Sequence, residues 1–167
     1  MPSDHSSDSL VQVLSDLALA ADAAGYMDVV DWARSELGGY KDEVPAYRHV
    51  KGVPMGFNPM RGWIPVYLED RDLLKRIGGH TLRQSIGNIE QAIANSRNGK
   101  AYVHYTAEQI AFINASGSMR YAQMASNIDL EALRSVRESV RSLAASWQEK
   151  IGPLRVPVTS ADHSATV

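Results

Sequence analysis

The sequence predicts an α+β fold in which an N-terminal helix hairpin, a small mostly antiparallel sheet and two longer helices pack on one another. Three observations predict it. Two amphipathic stretches divided by Gly25 open the chain. A segment crowded with proline and glycine, residues 38–62, then gives way to short alternating runs. Near the end, an apolar seam repeats at helical spacing from Leu133 to Trp147. The 167 residues, 44% hydrophobic and 22% charged with net charge −2, suit one soluble domain able to close a core without staples.

Each element has its own signal. Residues 1–8 are expected to be disordered. Over 9–24, Leu10, Val13, Leu14, Leu17, Ala18 and Ala21 follow helical spacing, and Gly25 is a C-terminal stop. A second helix over 27–37 carries Val29, Val30, Ala33 and Leu37, with Asp28 in the first turn where the helix dipole favours negative charge. The short connection makes the two antiparallel. Residues 47–53 and 63–68 read as strands, and Pro65, with no N–H to give a ladder, puts the second at an edge. Between them PMGFNPMRG reads as a long loop with Met55, Phe57 and Met60 near its tip, either a contact surface or folded back to bury them.

A short helix over 70–77 bends at Gly78-Gly79. A longer one over 81–96 aligns Leu82, Ile86, Ile89 and Ile93 on one face. Residues 101–105 read as a strand. Thr106 and Gln109 form a capping box for a helix carrying Ile110, Phe112 and Ile113. Ser116-Gly117-Ser118 turns the chain into a last strand over 119–125. Ser126 and Asp129 open the final helix, whose seam is Leu133, Val136, Val140, Leu143 and Trp147. Gly152-Pro153 stops it, leaving 152–167 as a flexible tail and 9–151 as one domain without internal repeats.

Composition excludes several function classes. With no cysteine there is no disulfide, thiolate metal site or cysteine nucleophile, and a reducing compartment fits. The N-terminus lacks a secretory pattern, and no apolar run approaches the ~20 residues that span a bilayer. A cytoplasmic protein with no membrane partner is expected. The charge is uneven: residues 1–43 carry nine acids against two bases, and residues 44–83 carry seven bases against three acids. Either the two fields cancel within the fold, or the protomer is dipolar and stacks head to tail or meets a charged partner.

The candidate residues centre on WARSELGGYKDEVPAYR. Trp32, Glu36 and Tyr40 lie on one helical stripe, followed by Tyr47, Arg48 and His49. Glu36 and Glu90 sit within apolar stripes, where a carboxylate is unusual. They are either catalytic or, as the stronger expectation, paired with Arg48 and Arg83. The histidines have no ligand spacing, so no metal and no cofactor is expected. Arg134, Arg137 and Arg141 form a basic stripe that could touch nucleic acid, but Glu131 and Glu138 lie within pairing range on the same helix. The Leu133–Trp147 seam is expected to be core, a dimer interface being the alternative.

Trp32…Glu36-Leu37-x-Gly39-Tyr40, followed by Val44-Pro45-x-Tyr47-Arg48, resembles the signature of the AbiTii domain of bacterial abortive-infection and related conflict systems. Leu82-Arg83-Gln84-Ser85-Ile86-x-x-Ile89-Glu90 is similar to that domain's central helix, and Asn127-Ile128 through Val136-Arg137 and on to Leu143 resembles its final helix, which follows a strand. The resemblance covers residues 10–151. It implies a predicted toxin or effector-associated domain of phage defence, with no assigned catalytic residues to carry over. Because the chain stops soon after its last helix, a non-enzymatic interaction or assembly module is expected, acting on a protein partner or by self-association. Trp32, Glu36, Tyr40, Tyr47, Arg48, Arg83 and Glu90 are its signature residues. One alternative is an effector enzyme acting on RNA or a nucleotide through Arg48, Glu36, His49 and His80. Another is a neutraliser of a separately encoded toxin, for which the acidic N-terminal half speaks.

Overall fold

The computed structural model describes residues 9–152; the expected disordered N-terminus and Pro153 with the tail lie outside them. Helix α1 (Leu10–Ala24) and helix α2 (Met27–Gly38) form the N-terminal hairpin. Ser9 caps α1 through its hydroxyl, which accepts from the Gln12 N–H, and Gly25 closes it with φ +82°, a conformation costly for any residue with a Cβ. A 3₁₀ turn (Ala46–Arg48) then leads into β1 (His49–Lys51), β2 (Val53–Asn58) and β3 (Gly62–Pro65). Helix α3 (Arg71–Gly78), β4 (Gly79–Thr81), α4 (Ile86–Asn95), β5 (Lys100–His104), α5 (Ala107–Ser116), β6 (Met124–Asp129) and α6 (Leu130–Ile151) complete the described chain.

The strands make two sheets with every pairing antiparallel. One is the two-stranded β1-β4 and the other has the order β3-β2-β6-β5. The main core gathers Leu10, Leu14 and Leu17 of α1, Val30 and Ala33 of α2, Ile86 and Ile89 of α4, Ile128 of β6, and Leu133, Val136 and Val140 of α6. A second cluster holds Met124, Tyr105, Tyr121, Leu73 and Ile113 beneath α3 and α5. The α+β architecture is the predicted one, and the Thr106–Gln109 capping box is present in full.

Several elements lie elsewhere than expected. PMGFNPMRG is not a long loop: residues 53–58 form a central strand, and only 59–61 turn the chain, fastened by Met60 and Arg61 N–H donating to Asn58 Oδ1. Met60 alone stands at the tip, 92% exposed. Pro54 is tolerated inside the sheet because of the hydrogen-bond phase. The Phe57 N–H bonds Gln123 O and the Val66 N–H bonds Pro54 O. Alternation therefore aims the Pro54 nitrogen at the β3 side, beyond that strand's last residue, and the Pro65 nitrogen off the free edge. Gly56 is required because a Cβ there would lie 2.1 Å from the Tyr121 ring.

The expected strand over 47–53 begins instead as the 3₁₀ turn, and its extended part pairs with β4. The expected helix over 81–96 starts only at Ile86, since 79–81 is β4 and Ser85 supplies the cap, its hydroxyl accepting from the Asn88 N–H. The last strand runs 124–129 rather than 119–125, so Ser126 is a buried strand residue and Asp129 is the N-cap of α6. Leu143 is 38% exposed, while Ala144 is fully buried and takes its place in the seam.

Gly52 and Gly78 bring the two sheets and α3 together: the Gly52 N–H donates to Gly78 O at 2.7 Å. A Cβ on Gly78 would stand 2.5 Å from Gly52 O, which is backbone and cannot swing aside. Gly78→Ala is expected to lower the urea unfolding midpoint by about 1–3 kcal/mol of stability. Gly87→Ala, whose Cβ meets Val11 Cγ2 at 3.4 Å and Ser85 Oγ at 3.9 Å, both ordinary contacts, should hold or raise it, by up to ~1 kcal/mol.

Candidate functional site

The signature residues converge on one carboxylate. Glu36 lies on the inner face of α2, where an apolar residue would ordinarily sit, and is wholly buried with Arg48. Glu36 Oε2 accepts from Arg48 Nη2, and Oε1 accepts from Arg48 Nε at 3.2 Å, from the Tyr40 hydroxyl at 2.6 Å and from the Tyr47 hydroxyl. Trp32 Nε1 donates in turn to the Tyr47 hydroxyl at 2.8 Å. The other side of the guanidinium is used as fully: Arg48 Nη1 donates to Leu82 O at 2.8 Å and Gln84 O at 2.7 Å, and the Tyr40 ring centroid lies 4.9 Å from Cζ.

Local sequence puts these groups there. One helical turn separates Trp32 from Glu36. Gly39 ends α2 with φ +93°, and a Cβ there would lie 3.0 Å from Arg83 O. That close approach lets the next residue, Tyr40, donate its N–H to Arg83 O at 2.8 Å. Pro45 opens the turn that delivers Tyr47 and Arg48, and the Arg48 carbonyl accepts from the Leu82 N–H at 2.9 Å.

Burial is the largest influence on both phenols, followed by the carboxylate each one faces. The Tyr47 hydroxyl is pushed up to about 12, and that of Tyr40 is also raised. Both stay protonated donors at any ordinary pH.

Five of the seven signature residues thus form one knot. Arg83 borders it through its main chain, while its exposed guanidinium donates to Lys41 O at 3.1 Å and Asp42 O at 2.8 Å. The expected Glu90–Arg83 pair does not form; Glu90 is half-buried on α4 and makes no ion pair among the described residues. A carboxylate at the edge of a core stripe can reach water without a partner.

The groups named for chemistry are not assembled. His49 is exposed and its Nδ1 lies 2.8 Å from Thr81 Oγ1. His80 belongs to a different place, a cleft of about 450 Å³ between α3 and α5 with Arg76, Tyr105, Glu108 and Phe112. Its Nε2 is enclosed without a hydrogen-bond partner, its ring centroid is 5.4 Å from that of Tyr105, and burial lowers its pKa. Sequence spacing could not find this cleft, whose walls come from residues 73–80 and 105–113 on separate elements. Arg134, Arg137 and Arg141 are matched by Glu131 and Glu138 on their own helix. No cluster of three or more metal-ligating side chains occurs among the described residues, and no described helix is long and apolar enough to cross a membrane.

The AbiTii family model matches residues 4–157, almost the whole chain and all of the knot. The chain belongs to the AbiTii family. The family name points to abortive infection, a bacterial defence against phage. No curated protein and no solved structure matches the chain.

Two outcomes follow from the knot. Arg48→Met strands a buried carboxylate and two carbonyls, and should cost about 3–5 kcal/mol in chemical denaturation. Adding Glu36→Met should recover part of that loss, and a double variant weaker than the single one would show that the charge is not what costs. The second outcome concerns pH. The unfolded phenol of Tyr47 ionises near 10.0 and the folded one near about 12, so the unfolded chain releases its proton first. The stabilisation is complete below pH 10 and is lost as pH rises toward 12, with Tyr40 adding to the same slope. Unfolding midpoints across that range should fall for wild type and fall less for Tyr47→Phe.

Proposed function

We propose that this AbiTii chain acts as a non-enzymatic interaction or assembly module of an abortive-infection system. The observation that carries this reading is the enclosure of Glu36 and Arg48. Both carboxylate oxygens and all three guanidinium nitrogens are committed to internal partners, and neither side chain meets solvent. A general acid or base needs a proton it can exchange with a reacting group within hydrogen-bond reach, and this pair offers none. Its chemistry is that of a clasp which fixes α2 against residues 48 and 82–84. What stays available outside is a surface for contact, including half-exposed aromatic side chains of the kind that anchor interfaces.

The His80 cleft favours a second reading, an effector acting on RNA or a nucleotide. A neutral, partly buried imidazole beside Arg76 and an exposed Phe112 offers a proton acceptor, a cation and a stacking face together.

Growth after induced expression separates the two. Under the module reading, wild type alone leaves growth unchanged, and the purified protein turns over neither RNA nor nucleoside triphosphates. Arrest that a folded His80→Ala variant relieves would overturn it in favour of the effector.

A further inference from the structure

The two edges of the four-stranded sheet are unlike. The β3 edge carries Pro65 with its nitrogen facing outward and is only four residues long, features that blunt an edge against pairing. The β5 edge, Lys100–His104, contains neither proline nor glycine. Its hydrogen-bond phase is fixed at both ends: the Leu130 N–H donates to Gly99 O and the Tyr105 N–H to Met124 O, each at 3.1 Å. The odd residues 99–105 therefore face β6. The N–H and C=O groups of Lys100, Tyr102 and His104 point off the sheet. Of these, only Lys100 O has a recorded partner among the described residues, the Ser96 hydroxyl at 3.0 Å.

The side chains of the same three residues stand on the sheet face away from the main core. Ala101 and Val103 pack inward, while Tyr102 is 47% exposed. The sheet curls enough for Trp63, on the opposite edge strand, to bring its indole to 6.3 Å from Tyr102 and 6.1 Å from His104, with Phe57 at 5.6 Å on its other side. Fully buried Ala125 and nearly buried Asn127 lie on this same face of β6. The result is an aromatic face that runs up to an open backbone edge.

We infer that β5 is a dimerisation strand, which pairs antiparallel with β5 of a second copy about a two-fold axis at Tyr102. The occupant is set by self-complementarity. With Tyr102 opposite its own counterpart, Lys100 falls opposite the other copy's His104, and the outward N–H and C=O groups of 100, 102 and 104 meet their mates in phase. Two sheets become one of eight strands, the tyrosines meet at the seam, and no carboxylate is brought against another. An isologous contact of this kind closes at two copies. The inference rests on the assembly reading above and names its partner.

Size-exclusion chromatography with light scattering on the full chain tests it. Wild type should approach twice 18.3 kDa as concentration rises. A residue on the axis meets itself, so Tyr102→Lys and Tyr102→Glu should each remain at monomer mass, and an equimolar mixture of the two should return to dimer. His104→Pro should also be monomeric while keeping the far-UV circular dichroism of the folded chain, because the N–H it removes makes no bond within the chain. Wild type at monomer mass throughout overturns the inference. If that monomer binds a labelled single-stranded RNA oligonucleotide and Tyr102→Glu does not, the aromatic face serves nucleic acid instead. A dimer indifferent to both charge variants also overturns it, while leaving the assembly reading intact through another surface. A charge-variant mixture that stays monomeric refutes the two-fold register.

Discussion

The junction between the helix hairpin and the β1–β4 pair is anchored to one buried ion pair. Removing two charges from water costs several kcal/mol per ion, and mutual attraction offsets this only when the remaining lone pairs and protons are also satisfied. Glu36 and Arg48 meet that condition through two tyrosine hydroxyls and two backbone carbonyls. An apolar pair of similar volume could fill the same space. It could not dictate the entry of Tyr40 and Tyr47, the course of residues 82–84, or the close approach of Gly39 to Arg83. The pair specifies one arrangement among several that would bury comparable area.

That specification explains why the signature residues cluster so tightly in the sequence. Trp32 and Glu36 lie one turn apart on α2, Tyr40 follows directly after its Gly39 cap, and Tyr47 and Arg48 return after a proline-initiated turn to meet them. The aromatic hydroxyls act as a shell around the carboxylate: Tyr47 receives from Trp32 and gives to Glu36. In so low a dielectric each such bond strengthens its neighbour, and each omission would be costly.

Much of this was legible in the sequence, for identifiable reasons. Helices with a single buried face announce themselves, so α1, α2 and most of α6 lie where their apolar spacing puts them, and a carboxylate inside such a face pointed to a paired arginine. The capping box at Thr106 was equally readable. What was hidden depends on contacts between distant residues. Pro54 and Gly56 looked like loop residues because the reasons they suit a strand are the end of β3 and the ring of Tyr121, neither of them local. Ser126 and Asn127 looked like a helix start because polar residues seldom fill a buried strand, yet Ser126 sits over the missing side chain of Gly52. Glu90 has the same local pattern as Glu36, and only the fold distinguishes them. The His80 cleft joins pieces too far apart for any spacing rule.

The partners of Arg48 also bear on the order in which the chain assembles. Glu36 lies 12 residues before it, and the carbonyls of Leu82 and Gln84 lie 34 and 36 residues after it. The α1–α2 hairpin is built from near neighbours and can form early, but its inner face then carries an ionised group that water solvates better than a half-made interior does. Closing the loop to residues 82–84 must come before that group can be sealed in, and loop closure is the slow, entropically opposed part of folding. The inner face of the hairpin is therefore expected to keep its water until β1 and β4 have met. In this way a single carboxylate ties the completion of α2's inner face to the β1–β4 pairing.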